Sequence, residues 1–240
     1  MPVKTTQTPI PFDCANCGKR HLSLFKDLSE EELNELNNVK ACTSFRKGQI
    51  IMGEGNRPNG VYCIHSGKAK LIRMGQNGKD QIIRFAVQGD LIGYRSLLSN
   101  EPLSASVEAL EDVHACYIPK QVLFGFLETN PKFSLNLLRT ACHELGEAGK
   151  LITDIAQKSV RERLAEVLLM LKSQFGTNEE TGAIDISLTR EEIANMVGTA
   201  TESVIRLISE FKQDGVIEVK GRHILVLDEP ALLRIGKVFD

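Results

Sequence analysis

The sequence lacks a long hydrophobic run. Its longest uninterrupted apolar stretch, Val167 to Leu171, is far shorter than the roughly 18 residues that suggest a membrane span. Residues 1–11 are polar and contain proline, without the apolar segment of a secretory signal. We therefore expect no membrane partner and a cytoplasmic location.

A large charge of either sign is also missing. The 29 Lys and Arg residues nearly balance the 31 Asp and Glu residues, so the formal net charge is −2. Residues 159–240 carry 10 basic and 14 acidic side chains, a net charge of −4. Any DNA-binding role of that part must therefore depend on a few well-placed side chains.

Enzyme signatures are absent from the sequence. No GxSxG, GxGxxG or GxxxxGK motif occurs, and the five histidines are dispersed without an HxH pair. A cupin-like metal enzyme, the remote alternative, would need a clustered metal-binding triad. The hydrophobic content of 42% and charged content of 25% are ordinary for a globular chain. We expect a folded protein that is not an enzyme.

Residues 1–129 divide into two predicted parts. Residues 1–27 form an arm with a Cys14-x2-Cys17 pair, and residues 28–129 form a sensor domain that opens with a helix capped by Ser29 and Glu32. From about residue 41, short apolar runs alternate with glycines, and Asn77-Gly78 favours a tight hairpin. This texture predicts a compact antiparallel barrel or roll.

Residues 130–158 are predicted to form one long helix that begins at Asn130-Pro131. Apolar or small residues recur along it at alternating spacings of three and four, the pattern of a coiled-coil seam. The seam comprises Leu135, Leu138, Cys142, Leu145, Gly149, Ile152 and Ala156. A second stripe beside it comprises Leu137, Ala141, Ala148, Leu151 and Ile155. One broad face packed on the roll remains possible, but two stripes favour a homodimer, with the seam facing a second copy.

Residues 159–240 have the order of a winged helix-turn-helix. A helix over 159–175 ends at Gly176, and a short strand is expected over Ile184–Leu188. Thr189 and Glu192 then form a capping box, and Gly198 supplies a tight turn. A second helix follows from about Ala200 to Asp214, and a β hairpin completes the wing. In such a motif, the start of the second helix reads base edges in the major groove.

Four further stretches complete a resemblance to the cyclic-AMP receptor protein/FNR family of bacterial transcription regulators. They are Gly48-Gln49-Ile50-Ile51 with Gly53-Glu54-Gly55, Ile64-His65-Ser66-Gly67-Lys68, Gly89-Asp90-Leu91-Ile92-Gly93, and Leu188-Thr189-Arg190-Glu191-Glu192-Ile193-Ala194. The resemblance covers about residues 20–230. It implies an α+β protein with an N-terminal antiparallel β-roll (a cyclic-nucleotide-binding-domain-like, double-stranded β-helix), a long dimerisation helix and a C-terminal winged helix-turn-helix. It also implies palindromic double-stranded DNA and RNA polymerase as partners.

The family's base-reading Glu and Arg fall on Glu202 and Arg206. Arg can donate two hydrogen bonds to guanine, and Glu can accept from a cytosine amino group. Attraction between the two is expected to hold Arg206 extended; the plain alternative is a surface ion pair. Ile205 stands where FNR-like members often have Ser, which leaves the outer bases of the half-site open. The predicted DNA-binding set is Thr189, Thr199, Thr201, Glu202, Ser203, Ile205, Arg206 and Lys220, with a second capping box formed by Thr199 and Glu202.

The sensed signal is less determined. Relatives that bind cyclic nucleotides pair the phosphate with an Arg where this chain has Leu103, and Tyr94 replaces their Glu; Arg95 is a conceivable substitute for the missing Arg. A cAMP ligand is therefore not expected.

The six cysteines suggest a different sensor, since the sequence has no secretory signal and free thiols or metal ligands are then likelier than disulfides. Cys14, Cys17 and Cys116 match three of the four cluster cysteines of FNR, which suggests an iron–sulfur site; Ser23 stands at the place of the fourth. Cys42 or His21 could complete a site, and Cys14, Cys17 and His21 would also suit zinc. Haem near Cys63 and His65, or a set of cysteines without a metal, remain alternatives.

Overall fold

The computed structural model describes residues 13–14, 17, 20–75, 78 and 80–238. Asn77, on which the predicted tight turn depends, lies outside the described residues. The chain divides into two compact units, one formed by residues up to 78 with 82–145, the other by 146–240 with 79–81. Within the described part of the chain, no helix is both long and apolar enough to cross a membrane.

The first unit is built mainly from strands and begins and ends with helices, and its last helix continues past residue 145 into the second unit. Two short 3-10 helices, Arg20–Leu22 and Leu24–Asp27, precede the first α-helix. The elements that follow are α1 (Glu30–Val39), β1 (Ala41–Phe45), β2 (Ile50–Met52), β3 (Gly60–Ser66), β4 (Ala69–Met74), β5 (Asp80–Ala86), β6 (Leu91–Ile92), α2 (Tyr94–Ser99), β7 (Ser106–Ala109), β8 (Val113–Pro119), α3 (Lys120–Thr129) and α4 (Pro131–Gln157).

The strands form two four-stranded sheets, in the orders β1-β8-β3-β6 and β2-β7-β4-β5. Strand β8 pairs antiparallel with both β1 and β3, and β7 pairs antiparallel with both β2 and β4. The predicted antiparallel β-roll is confirmed.

Side chains of β8 alternate between two apolar clusters, as the two-residue period of a strand requires. Val113 and Ala115 join a cluster inside the roll. Ile118 joins an outer cluster, where it meets Leu36 of α1 and Phe133 of α4. The outer face of β8 is therefore covered by helices, and residues on that face lie in a partly enclosed environment.

Helix α4 has the bounds that the sequence predicts. The Asn130 side chain caps it by accepting a hydrogen bond from the Phe133 N–H at 3.0 Å. Phe133 and Leu137 are buried in the outer cluster of the first unit. The large members of the seam are exposed, with 74% of Leu145 and 71% of Ile152 accessible to solvent. The two stripes also differ at the start of the helix, where Leu137 is buried but Leu135 and Leu138 of the seam are exposed.

The second unit contains α5 (Val160–Phe175), α6 (Arg190–Val197), α7 (Thr201–Gln213), β9 (Ile217–Lys220), β10 (His223–Val226) and α8 (Glu229–Gly236). A capping box opens α6 at Thr189, as predicted, and another opens α5 at Ser159. Gly198 ends α6 with φ of 71°, a left-handed conformation that glycine adopts without strain. Helix–turn–helix and wing are therefore present in the predicted order.

Two local predictions in this unit are wrong. No strand forms over Ile184–Leu188, where the N–H of Ile186 bonds back to the Ile184 carbonyl at 2.7 Å and bends the chain; only Ile184 makes an isolated bridge, to Thr177. Thr199 does not cap α7, because the helix begins at Thr201 and its N-cap is Ala200, without a side-chain bond.

Helices α2, α3 and α8 are additional to the predicted elements, although Asp228 before Pro230 is a helix-start signal for α8.

The two threonines provide a matched pair for measuring a cap. Replacing Thr189 with Ala removes the hydroxyl that accepts the Glu192 N–H, so we expect a loss of about 1 kcal/mol in the free energy of unfolding. Thr199→Ala removes no cap and should change it by less than about 0.5 kcal/mol. Urea unfolding of the two variants measures both effects. An equal loss in both variants would contradict the assigned helix starts.

Candidate nucleic-acid interface and cysteine cavity

Helix α7 has one buried and one open face. Val204, Leu207, Ile208 and Phe211 are buried, as the sequence predicts. Glu202, Ile205 and Arg206 are exposed on the other face, while Thr201 and Ser203 are half-buried beside them. The exposed face therefore presents a hydrogen-bond acceptor in Glu202, an apolar side chain in Ile205 and a guanidinium group in Arg206 that can donate two hydrogen bonds.

Arg206 does not pair with Glu202, and the predicted attraction between them is wrong. The Arg206 guanidinium lies 3.0 Å from the carboxylate of Glu210, one turn further along the helix. Glu210 is fixed from its other side by Arg161 of α5, at 2.9 Å. A carboxylate held by α5 is a better-ordered partner for Arg206 than the exposed Glu202.

The ion pair between Arg206 and Glu210 is weak. The Arg206 side chain is 70% exposed, so the pair is worth only about 0.3–0.5 kcal/mol. Arg206 can exchange Glu210 for a base edge at small cost. Glu202, which forms no cap, is equally free to accept a hydrogen bond.

The remaining predicted DNA-binding residues lie around this helix. Thr189 is half-buried at the start of α6, Thr199 is half-buried before α7, and Lys220 is exposed at the end of β9. Lys220 lies 3.6 Å from Glu218 of the same strand. Arg190, which the sequence did not single out, donates to the Gly221 carbonyl at 3.1 Å and so ties α6 to the turn of the wing.

Three cysteines lie side by side on adjacent strands of the first sheet, on its outer face. Cys116 of β8 is directly opposite Cys42 of β1 on one side and Cys63 of β3 on the other. Directly opposed residues of an antiparallel pair share a face of the sheet. Sequence reasoning placed Cys116 at a site but did not place Cys42 and Cys63 beside it, because the register of three strands is not visible in local sequence.

The arm brings two more cysteines to this face. Cys14 accepts a hydrogen bond from the Lys40 ammonium at 2.8 Å, and its N–H donates to Asn37 at 2.8 Å. The Cys17 sulfur lies 3.7 Å from Nδ1 of His65. The cavity between arm and sheet is lined by Asp13, Cys14, Cys17, Arg20, Ser23, Phe25, Leu36, Lys40, Cys63, Ile64, His65, Gln88, Gly89, Cys116 and Ile118. The three predicted metal-site cysteines, Cys14, Cys17 and Cys116, therefore share one cavity.

Enclosure sets the ionisation of these groups. Burial raises the pKa of Cys63 to about 12 and also raises that of Cys116, where the Cys42 thiol contributes. Burial raises the pKa of Cys14 as well, against the opposing effect of Lys40. Burial, His114 and Lys40 lower the pKa of His65. Burial in the cavity thus favours the neutral forms of Cys14, Cys63, Cys116 and His65.

The site that holds the phosphate in cyclic-nucleotide-binding relatives has a different set of side chains. Leu103 is buried, and the Arg95 guanidinium donates to the Ser104 hydroxyl at 2.8 Å. Tyr94 is buried close to Glu144 of α4, and Glu144 pairs with Arg84 of β5 at 3.1 Å. Burial, followed by the Glu144 carboxylate, raises the pKa of Tyr94. Leu103 thus offers no charge to a phosphate, and the two guanidinium groups of this region, those of Arg84 and Arg95, already have partners.

Comparison with known proteins agrees with this architecture. The cyclic nucleotide-binding domain model matches residues 42–130, and the Crp-like helix-turn-helix domain model matches residues 162–235. The two domains in one chain define a class of DNA-binding transcription regulators. The chain belongs to the Crp/Fnr family within that class.

Curated relatives match over most of the chain. The regulatory protein HlyX of Actinobacillus pleuropneumoniae is 29% identical over 92% of this chain and 93% of its own length. The fumarate and nitrate reduction regulatory protein of Vibrio cholerae is 27% identical, with 94% and 90% covered. A CRP-like cAMP-activated global transcriptional regulator of Mycobacterium tuberculosis is 28% identical, with 88% and 95% covered.

A solved structure supports the fold. FixK2 of Bradyrhizobium japonicum superposes with a TM-score of 0.73 at 22% identity, covering 84% of this chain and 100% of that one.

The cysteines should differ in reactivity. In the reduced, metal-free protein, Cys142 is exposed, whereas the high pKa values of Cys63 and Cys116 leave almost no thiolate at pH 8. At protein concentrations low enough to keep the chain monomeric, mass spectrometry after timed treatment with iodoacetamide should show Cys142 modified first, and raising the pH should speed the reaction of the two enclosed thiols. Modification of Cys63 or Cys116 at the rate of Cys142 would contradict the enclosed cavity.

Proposed function

We propose that this regulator binds an inverted repeat as a homodimer, reads each half-site with Glu202 and Arg206, and responds to a redox signal at the cysteine cavity. The exposed face of α7 is the observation that supports base reading by Glu202 and Arg206. The opposite face of the helix is buried in the second unit, so the reading side chains stand on a rigid support. We expect the protein to act in the cytoplasm and to regulate transcription together with RNA polymerase.

Base reading follows from the chemistry of the exposed side chains. Arg206 can donate two hydrogen bonds to O6 and N7 of guanine once it leaves Glu210, and Glu202 can accept from a cytosine amino group. Ile205 offers an apolar contact to a thymine methyl group. Thr201 and Ser203, with Thr199, add hydroxyl donors beside these groups, and Thr189 and Lys220 are placed to contact phosphate.

The dimer is supported by the open seam of α4. Its large members, Leu135, Leu138, Leu145 and Ile152, are all exposed, and Cys142 lies between them. Gly149 has no neighbour within 4 Å of an added Cβ, which leaves room for close approach of a second helix. A two-fold dimer would set the half-site centres about 34–36 Å apart, one turn of DNA.

The cysteine cavity supports a metal-dependent redox sensor. Cys14, Cys17 and Cys116 bring thiols from the arm and from β8 to one place, and thiolates are the ligands that hold iron–sulfur clusters. Such a cluster supplies electron-transfer chemistry that responds to oxygen and other oxidants. His21, the other candidate for a zinc site, is exposed and does not line the cavity.

Arg206→Ala tests base reading. The change removes the forked donor, so we expect a loss of about 1–3 kcal/mol per half-site and a relaxed preference at one G·C position. Selection from random DNA measures the preference. Lys212→Ala, which removes a cation from the far end of the same helix, is the matched control and should leave the consensus unchanged. Recovery of the wild-type consensus by Arg206→Ala at full selectivity would refute the model.

Leu145→Glu tests the dimer. Two copies of the new carboxylate would face each other in an apolar seam, so sedimentation should show monomers at concentrations where the wild type is dimeric. Lys150→Glu adds the same side chain beside the seam and should remain dimeric.

Cys142 reports the register of the same dimer. In a parallel, in-register pair, the two copies of Cys142 meet, and a mild oxidant should join them by a disulfide, taking up the two electrons released. Dimeric Leu145→Glu, or wild type that does not cross-link through Cys142, would contradict the seam.

A further inference from the structure

The cavity contains one more thiol than the predicted metal site uses. Cys63 lines it together with Cys14, Cys17 and Cys116, and it lies within electrostatic range of both arm cysteines. Iron–sulfur clusters of the common types take four thiolates. The set Cys14, Cys17 and Cys116 therefore lacks one ligand, and the cavity offers one thiol to complete it.

Other candidates for the fourth position fit less well. Ser23 is buried and already used, since its hydroxyl donates to the Arg20 carbonyl at 2.8 Å and accepts from the Phe25 N–H at 3.2 Å. Cys42 lies on the other side of Cys116, within electrostatic range of Cys14, but it is not among the residues that line the cavity. His65 lines the cavity beside Cys17, so it is the competitor that an experiment must exclude.

The four thiols line the cavity from several elements and do not converge on one point. Within the described residues, no three His, Cys, Asp or Glu side chains converge closely enough to hold one metal ion. A cluster distributes its thiolates over several irons, so its ligands surround a volume and do not meet at a point. Two strands and the arm enclose such a volume here.

The charge around the cavity suits a cluster with four thiolates. A four-iron cluster in its common 2+ state carries a net charge of about −2 with these ligands. Lys40 and Arg20 are cations in the lining and Asp13 is the one carboxylate among the lining residues. Lys40 already donates to the Cys14 sulfur, a bond that would persist with a thiolate and stabilise it.

We propose that Cys63 of β3 supplies the fourth thiolate of an iron–sulfur cluster held by Cys14, Cys17 and Cys116. Two ligands would then come from the arm and one from each of the neighbouring strands β3 and β8. The resemblance to FNR implies three ligands from the arm. Loading from a preformed cluster ligated by small thiols is a ligand exchange: each protein S–H bond breaks, an Fe–S bond forms, and the proton passes to the departing thiolate. No electrons are exchanged. This proposal rests on the redox-sensing part of the proposed function.

The test loads the full-length protein without oxygen, using a synthetic four-iron cluster ligated by small thiols. Wild type should retain about four iron and four sulfide per chain and give a visible charge-transfer band. Loss of an outer partner of a metal site already costs about 10–100-fold in affinity, so Cys63→Ser and Cys63→Ala should each retain at least about tenfold less cluster. Cys42→Ser and His65→Asn are the matched controls and should load like wild type.

Circular dichroism and operator binding of the unloaded variants separate ligation from folding. If Cys63→Ser is folded, binds DNA and fails to load, the assignment is supported. Full loading of the folded Cys63 variants, loss of loading in His65→Asn alone, or wild type that retains no cluster would overturn it. Each of these outcomes leaves DNA reading by Arg206 intact, so failure of this proposal is distinct from failure of the DNA-reading proposal.

Discussion

The cysteine site depends on strict alternation in a paired antiparallel sheet. Side chains of a strand point alternately to the two faces, and directly opposed residues share a face. The register of β8 against β1 and β3 therefore puts Cys42, Cys116 and Cys63 in one row facing the arm, while Val113 and Ala115 fill the roll. A slip of one residue in either pairing would move a cysteine into the apolar interior.

The proposed DNA-reading surface combines a helix that is fixed by its buried face with an arginine, Arg206, that is held only by a weak ion pair. Phe211 and its buried neighbours anchor α7, and the Arg161 guanidinium, which lies 4.8 Å from the centre of the Phe211 ring, also holds Glu210. Arg206 is thus held near its working position without DNA by a bond that it can give up at little cost. Because residues 159–240 have a negative net charge, we expect phosphate attraction to contribute little and the proposed sequence discrimination to come from these few side chains.

Features set by nearby residues could be predicted from the sequence, and features set by distant pairing could not. The bounds of α4, the capping boxes at Ser29 and Thr189, and the buried stripe of α7 follow from spacings of three and four residues. The convergence of Cys63 with Cys14 and Cys17 requires the strand register and the path of the arm. The partner of Arg206 was mispredicted because Glu202 and Glu210 are both four residues away, and only Arg161, 45 positions earlier, decides between them.

We propose that occupancy of the cysteine cavity controls DNA binding. If a cluster in the cavity changes the affinity for operator DNA, then operator DNA must change the affinity for the cluster by the same factor. The most direct measurement compares the operator affinity of one cluster-loaded preparation before and after exposure to air, at fixed salt and protein concentration. We expect a change of at least about fivefold, the lower end of typical coupling between sites. Equal affinity in the two states, with loss of the cluster verified by iron analysis, would contradict the claim.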